Sequence, residues 1–211
     1  MLRRPRHHVN PFQNRLLSIC PERICFSQPG TPEAQPELQI ELGCADAQFL
    51  FQLAKANPQQ QFVGVEIRKP FVDDVNRRAQ EQGLANVRAA FAHINVDLPR
   101  LFAGQRIRRF FINFPDPWFK NAHKNRRIVN PALAQVLTDL TLPGGEVFFQ
   151  SDIWDLALDA MAVFESAGGL RNVVGDWSFL KRNPFQACSR REQQVLERTQ
   201  TVWRMLYRRM A

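Results

Sequence analysis

Cysteine and long apolar runs are scarce in this sequence, and the glycine-rich motif GxGxxG is absent. The 211 residues include four cysteines and no Cys-x-x-Cys pair, which disfavours both a disulfide framework and a zinc site. No apolar stretch approaches the roughly 20 residues of a membrane-spanning helix, and the basic start MLRRPRHHVN has no apolar segment behind it. A chain of this length that is 45% hydrophobic can bury a core. We therefore expect one cytoplasmic domain with no membrane contact and no metal.

Positive charge is concentrated in three segments of the chain. Residues 1–25 carry five Lys/Arg against one acid, residues 106–127 carry seven against one, and residues 181–211 carry eight against two. These segments total +16 while the rest of the chain totals −8. If the three segments converge in space, they form a face that binds a polyanion; the alternative is charge scattered over all sides of the surface.

Apolar runs alternate with amphipathic segments along most of the chain. Strand-like runs occupy residues 37–43, 61–67, 86–91, 107–114 and 146–152, and helix-like segments occupy 47–57, 71–83 and 132–140, the last ended by Pro143-Gly144-Gly145. This alternation predicts an α/β fold with a doubly wound, mostly parallel sheet. Residues 1–36 contain six prolines and predict a basic, extended N-terminal arm, so we expect the domain itself to span residues 37–211.

Acidic residues occur where several predicted strands end, which is where ligands bind in such sheets. Glu41 lies near the end of the first strand with Gly43 opening the turn after it, Glu66 ends the second, Asp116 follows the fourth and Asp152 ends the fifth. An acid at the second strand can accept hydrogen bonds from two ribose hydroxyls, which suits NAD and S-adenosylmethionine equally. The turn ELGCADA lacks the glycines of a pyrophosphate cradle. A positively charged cofactor without phosphate fits better, which favours S-adenosylmethionine.

An ordered set of motifs carries a family resemblance that spans residues 37–207. The motifs are ELG (41–43), NPQQQFVGVEIR (57–68), FPDPWFKNAHKNRRIVNP (114–131), PGG (143–145), QSD (150–152) and SRRE (189–192). They resemble the bacterial tRNA (guanine-N7-)-methyltransferases, and HHVNP (7–11) and TVWRMLY (201–207) are similar to the cyanobacterial branch. The resemblance implies a Rossmann-like class I fold that transfers a methyl group from S-adenosylmethionine to N7 of a guanine in tRNA, guanosine 46 of the variable loop. The protein is expected to be a monomer or a homodimer.

The resemblance also implies the residues of the site. Asp116 is the expected catalytic residue. The expected cofactor-binding residues are Glu41, Gly43, Glu66, His93, Asn95 and Asp116. The expected substrate-binding residues are Lys120, Asp152, Ser189, Arg190, Arg191 and Glu192, where serine replaces the threonine of a Thr-x-x-Glu motif.

Two positions depart from the pattern of the family. His93 stands where an Asp or Asn lies beside the adenine, and Asn95 is a possible substitute. Ala47 replaces the second glycine of the cofactor turn. We expect Ala47 to be an ordinary first residue of the next helix with Asp46 as its N-cap; the alternative is that its methyl group crowds the cofactor, as in a weakened or inactive tRNA-binding paralogue.

The stretch FPDPWFK suggests how the chemistry is done. Guanine N7 has an in-plane lone pair and no proton to lose, so a general base is not required. A fixed carboxylate near the ring would stabilise the positive charge that develops there, and Pro115 and Pro117 restrict Asp116 from both sides. The alternative is a rigid turn in which Asp116 caps a helix. Basic residues beyond the motif are expected on tRNA phosphates: Lys124, Arg126, Arg127, Arg190, Arg191 and the N-terminal arm.

Two other function classes share some of these features. A nicotinamide-dependent dehydrogenase would use Glu66 in the same way but would need the missing phosphate turn. A tRNA-binding protein without activity would keep the basic segments and have no need of Glu41 or Glu66.

Overall fold

The computed structural model describes residues 10, 13, 19, 21, 36–119 and 126–211. These residues form seven strands and six helices, in the order β1 (Leu38–Leu42), α1 (Gln48–Ala56), β2 (Gln61–Glu66), α2 (Lys69–Glu81), β3 (Val87–Phe91), α3 (Ile94–Leu101), β4 (Ile107–Asn113), α4 (Pro131–Leu140), β5 (Thr141–Ser151), α5 (Trp154–Glu165), β6 (Leu170–Asn172), α6 (Arg190–Glu197) and β7 (Trp203–Arg209). None of the helices in these ranges is both long and apolar enough to cross a membrane. The arm proposed for residues 1–36 falls almost entirely outside the described ranges, so that boundary stays a prediction.

The strands form a single sheet in the order β3-β2-β1-β4-β5-β7-β6. Strands β1 to β5 are parallel, and β7 runs antiparallel to both β5 and β6. The chain adds strands on one side of β1 and then returns to add them on the other. The switch point therefore lies between β1 and β4, and their carboxyl ends open the crevice in which ligands bind. The predicted doubly wound, mostly parallel sheet is confirmed.

Helices cover both faces of the sheet, and neighbouring aromatic residues point to opposite faces. Helices α3, α4 and α5 pack on one face, and α1 and α2 pack on the other. In β4, Phe110 belongs to the first core and Phe111 to the second; in β5, Phe149 and Phe148 divide in the same way. Each of these four side chains is fully buried, which stabilises the fold by about 1.5–3 kcal/mol per residue. The carboxyl edge of the sheet is thus a rigid base for the site.

Several elements were not predicted, and one strand begins earlier than expected. The segment that forms α3 is short and contains Pro99, so its helical period is weak. Helix α4 ends at Leu140 as predicted, but β5 begins at Thr141. The break Pro143-Gly144-Gly145 lies inside that strand, where its register with β4 shifts. A Cβ atom at Gly145 would lie 2.8 Å from the carbonyl oxygen of Arg108, so glycine lets the two strands approach.

Candidate active site

The carboxyl edge of the sheet brings together the ends of β1, β2, β4 and β5 and the start of α6. Arg190 pairs with Asp46 in the turn after β1 at 2.8 Å, and Arg191 pairs with Asp152 after β5 at 2.5 Å. The first turn of α6 therefore spans the crevice from the β1 side to the β5 side. Motifs that are about 150 residues apart in the sequence meet at this edge.

Glu41 is a buried acid at the end of β1. Its side chain accepts a hydrogen bond at Oε1 from Asn113 Nδ2 at 2.7 Å, and Oε2 is buried without a hydrogen bond from the described residues. Burial raises the pKa of Glu41 to about 8; the Asn113 hydrogen bond lowers it, while the charges of Asp46 and Glu66 raise it further. Oε2 thus becomes an acceptor that a cationic group can meet once Glu41 gives up its proton.

Glu66 lies at the end of β2 with its carboxylate already occupied. Oε1 accepts from the backbone N and the Nε of Arg68, both at 2.9 Å, and Oε2 accepts from Ala45 N at 3.0 Å and Arg68 Nη2 at 2.8 Å. A carboxylate has about four acceptor positions, and these four donors fill them. Arg68 also interacts electrostatically with Asp116. Ribose hydroxyls can reach Glu66 only if the Arg68 side chain moves away.

The turn between β1 and α1 differs from the expected geometry. Gly43, Ala45 and Ala47 have φ of 78°, 47° and 53°, all in the left-handed region. Ala47 is itself the N-cap of α1, and Asp46 instead accepts from Gln48 N at 3.3 Å. The prediction of an ordinary helical Ala47 capped by Asp46 is therefore wrong: the chain keeps the left-handed turn even where alanine replaces glycine.

The electrostatics of this turn favour a cation over a phosphate. Burial raises the pKa of Cys44 well above its usual range, and the negative charges of Glu41 and Glu66 raise it further. The described residues contain no cluster of three or more His, Cys, Asp or Glu side chains that could hold a metal ion. The acids at the ends of β1 and β2 suit a cationic ligand.

The FPDPW segment after β4 is held by both of its ends. Phe114 and Trp118 have φ of 48° and 43°, and left-handed backbone at residues other than glycine costs about 1–3 kcal/mol each. Phe114 N donates to the Gln150 carbonyl at 2.8 Å, and Arg127 Nε donates to the Pro117 carbonyl at 2.9 Å. Asp116 lies half-buried between these anchors. Strain of this kind persists only where the surroundings fix the backbone, so the position of Asp116 is tightly determined.

One alternative and one expectation for this region are corrected. Asp116 does not cap α4, because Asn130 is the N-cap and its side chain accepts from Leu133 N at 2.9 Å. Arg127 is only 9% exposed and also pairs with Asp159, so it anchors the segment instead of facing a phosphate. Arg126 lies 5.1 Å above the Trp118 ring. Lys120 and Lys124 lie outside the described residues.

The SRRE motif begins α6. The Ser189 side chain is the N-cap and accepts from Glu192 N at 3.2 Å. Arg190 and Arg191 are exposed, whereas Glu192 is 1% exposed and pairs with Arg204 at 2.7 Å. The Ser-x-x-Glu spacing is also that of a capping box and marks a helix start at sequence level. The structure thus places the Glu192 carboxylate inside the protein, where it holds α6 instead of facing the surface.

His93 and Asn95 lie at the carboxyl end of β3, around the start of α3. His93 is the N-cap of α3; its side chain is buried, and its backbone N donates to Asp97 Oδ2 at 2.7 Å. Asn95 is exposed in the first turn of the helix. Of these two expected cofactor contacts, Asn95 is the one whose side chain reaches the surface.

Three polar residues near the site were missed in the sequence: Asn113, Gln150 and Arg204. Gln150 Nε2 donates to Asn113 Oδ1 and to Glu192 Oε2, both at 3.0 Å, and Arg204 Nε donates to Gln150 Oε1 at 3.2 Å. Asn113 and Gln150 are polar residues near the ends of apolar strands, and that position in the sequence could have indicated a role at the site. Gln150 is also part of the QSD motif.

Much of the positive charge in the basic segments is paired within the protein. The ion pairs in the described ranges include Arg106–Glu37, Arg109–Glu146, Arg127–Asp159, Arg190–Asp46, Arg191–Asp152, Arg204–Glu192 and Arg208–Glu146. Residues 1–25 and 120–125 lie almost entirely outside those ranges. Convergence of the three segments on one face therefore stays a prediction.

The strand order and the antiparallel β7 are those of the Rossmann-like fold of class I methyltransferases. Solved structures share this fold. The aminoglycoside resistance methyltransferase NpmB1 gives a TM-score of 0.57 at 19% identity, covering 90% of this chain and all of that chain. TrmN from Thermus thermophilus gives a TM-score of 0.56 at 14% identity, covering 85% of this chain and 46% of that chain.

Sequence comparison identifies the family. A family described as "Putative methyltransferase" matches residues 35–205. A tRNA (guanine-N(7)-)-methyltransferase of Thermosynechococcus vestitus is 35% identical over 215 residues, covering 100% of this chain and 97% of the relative. The enzyme of the same name from Synechococcus sp. (strain JA-3-3Ab) is 38% identical over 205 residues, covering 95% and 84%. The chain belongs to the tRNA (guanine-N7-)-methyltransferase family, and the resemblance found in its motifs is confirmed.

Proposed function

We propose that this protein transfers a methyl group from S-adenosylmethionine to N7 of a guanine in tRNA, guanosine 46 of the variable loop by family resemblance. The observation that carries the proposal is the fixed position of Asp116. In a member of this family, a carboxylate is clamped between two left-handed residues beside the crevice of β1 and β4. The reaction would take place in the cytoplasm, where the tRNA is found.

The residues at the crevice fit S-adenosylmethionine, which supplies an electrophilic methyl group when bound. Glu41 offers a buried acceptor for the cationic part of the cofactor, and Glu66 can accept the ribose hydroxyls once Arg68 moves. Gly43, with its left-handed backbone, leaves open space at the turn, and Asn95 is exposed at the start of α3. These contacts orient the cofactor without a phosphate cradle.

Asp116 acts on the guanine by electrostatics. As N7 takes the methyl group, positive charge develops on the guanine ring, and the carboxylate of Asp116 stabilises it. The surrounding backbone fixes the carboxylate before the reaction, so little reorganisation is needed. Because N7 carries no proton, the role of Asp116 is that of a fixed charge, with no proton transferred.

The first turn of α6 is the proposed tRNA contact of the described residues. Arg190 and Arg191 have side chains that are 66% and 46% exposed, so they can bind phosphate while they remain paired with Asp46 and Asp152. Ser189 and Asp152 lie beside them, and Glu192 positions them from inside. Lys120 is proposed to bind the substrate on the strength of the family motif.

The experiment measures methyl transfer to a tRNA transcript, with 7-methylguanosine detected by mass spectrometry. Asp116→Asn keeps the size and most hydrogen bonds of the side chain but removes its charge, so we expect activity to fall at least tenfold, or about 1.4 kcal/mol of transition-state stabilisation. Affinity for S-adenosylhomocysteine should change less. Asp139→Asn is the matched control, because Asp139 is exposed near the end of α4, beside the start of β5.

The same protein also tests the alternatives. An Asp116→Asn variant with wild-type turnover would remove the electrostatic role. A wild-type protein that binds tRNA but neither binds S-adenosylhomocysteine nor methylates tRNA would be the weakened paralogue. Calorimetric titration with NAD should show no binding.

A further inference from the structure

A chain of side-chain hydrogen bonds joins β7 to β1 across the carboxyl edge of the sheet. It runs from Arg204 through Gln150 and Asn113 to Glu41, with Glu192 bonded to both Arg204 and Gln150. Its links measure 3.2, 3.0 and 2.7 Å in that order. Gln150 is fully buried, and Arg204 and Glu192 are buried around it. We call Arg204, Gln150 and Asn113 the polar relay.

The relay has a fixed direction that follows from the chemistry of its first member. A guanidinium can only donate hydrogen bonds, so the amide oxygen of Gln150 must face Arg204. The Gln150 NH₂ group then faces Asn113 and the Glu192 carboxylate, which accepts. Asn113 must in turn present its oxygen to Gln150 and its NH₂ group to Glu41. The orientation of two nearly symmetric amides is thus set by Arg204 together with the Glu192 carboxylate.

This direction determines that an NH₂ group, and not an amide oxygen, contacts Glu41. An NH₂ group stabilises the charged carboxylate, whereas an amide oxygen in its place would stabilise only the protonated acid. Burial, Asp46 on the following turn and Glu66 on β2 disfavour the charge of Glu41. Cys44 on the same turn is an uncharged thiol, and Arg68 is already paired with Glu66. Of the influences on the pKa of Glu41, the Asn113 hydrogen bond is the one that lowers it.

We propose that Arg204, Gln150 and Asn113 are positioning residues that keep a hydrogen-bond donor aimed at Glu41, so that this acid meets the cationic cofactor as a carboxylate. The proposal rests on the proposed function, because it takes S-adenosylmethionine as the ligand. It adds that the buried Arg204–Glu192 pair holds two things at once. One is the first turn of α6, which faces the tRNA in the proposed function. The other is the orientation of the amide that donates to Glu41.

The test measures protons released when S-adenosylhomocysteine binds. Calorimetry from pH 6.5 to 9.5 in two buffers of different ionisation enthalpy counts these protons. In the wild type we expect release below about pH 8, because Glu41 is largely protonated there and a bound cation favours its carboxylate. Glu41→Gln should abolish the part of the release that comes from Glu41. Any proton exchange that remains in this variant belongs to the ligand and is subtracted.

Gln150→Met interrupts the relay without touching Glu41. We expect the midpoint of proton release to move up by about one pH unit and the affinity at pH 7 to fall about tenfold. Gln39→Met is the matched control, because Gln39 is another buried strand glutamine that accepts from an arginine, Arg109 at 2.8 Å. It should lose comparable stability with an unchanged midpoint. If Gln150→Met does not fold, Asn113→Leu removes the final donor and should shift the midpoint in the same direction.

The outcomes separate the two proposals. A wild-type protein that does not bind S-adenosylhomocysteine would overturn the proposed function. A wild-type protein that binds it with proton release, but whose Gln150→Met and Asn113→Leu variants keep the wild-type midpoint, would overturn the relay alone.

Discussion

Ala47→Gly tests whether the turn before α1 stores backbone strain. Ala47 is fully buried at the N-cap of α1, with φ of 53°. Its backbone N donates to Cys44 O at 2.7 Å, and its carbonyl accepts from Phe51 N at 2.9 Å, so the residue cannot leave the left-handed region without losing both bonds. An L-residue in that region is strained by about 1–2 kcal/mol, and glycine is not.

The expected change in stability is a small difference between opposing effects. Glycine loses a buried methyl group, about 0.8 kcal/mol, and loses more chain entropy on folding, about 0.5–1 kcal/mol. Relief of the strain offsets these losses, so Ala47→Gly should leave the free energy of unfolding within about 0.5 kcal/mol of the wild type. Ala54→Gly is the matched control, because Ala54 is equally buried inside the same helix. There glycine should cost roughly 2 kcal/mol.

Urea unfolding followed by tryptophan fluorescence gives both free energies. The difference between the two variants measures the strain at Ala47, about 1–2 kcal/mol; equal destabilisation by both substitutions would refute this reasoning. Because the Ala47 methyl group is fully buried, affinity for S-adenosylhomocysteine should change less than threefold. A tenfold gain would mean that the methyl group crowds the cofactor after all.

Two further predictions concern the roles of two neighbouring arginines and the effect of pH on stability. Arg126→Ala should weaken tRNA binding and flatten its salt dependence, since one phosphate contact is lost; Arg127→Ala should instead lower the melting temperature, because this arginine holds Pro117 and Asp159, and the reverse pattern would exchange their roles. Burial raises the pKa of Glu41 from 4.5 to about 8, so the folded state holds this proton more firmly and stability falls as pH rises through that window. Glu41→Gln should therefore be more stable than the wild type at pH 9, by up to roughly 5 kcal/mol, and the gain should vanish near pH 4; a gain independent of pH would contradict this assignment.

Sequence pattern predicted the parts of the fold that depend on local burial. The apolar runs of β1, β2 and β4 lie between two helical layers, so each reads as a strand without knowledge of its partners. Helix α3 was missed because Pro99 interrupts a segment of eight residues. Strands β6 and β7 were missed because they pair antiparallel at one end of the sheet, and no local period reports a pairing partner.

The sequence predicted which residues lie near the site better than it predicted which partners they contact. The acids at the strand ends lie where the alternating pattern put them, because parallel strands all end at one edge. A single sequence cannot show that Arg127 faces inward or that Glu192 is buried against Arg204, since exposure of a charged side chain depends on partners distant in the chain. Ala47 was misjudged because the helix propensity of alanine is weaker than the hydrogen bonds of the turn.

The occupation of Glu66 by Arg68 has a consequence for turnover. If ribose binds Glu66 as proposed, it must displace Arg68 from the carboxylate. The net affinity for a nucleoside would then be its own hydrogen-bond energy less that of the ion pair. When the nucleoside departs, Arg68 can take back the carboxylate, so the opened site does not hold an unpaired buried charge. Under the proposed function this exchange would weaken the binding of S-adenosylhomocysteine as well as that of S-adenosylmethionine, because the two share the same ribose. A competing side chain of this kind would favour release of the product at the expense of tight binding.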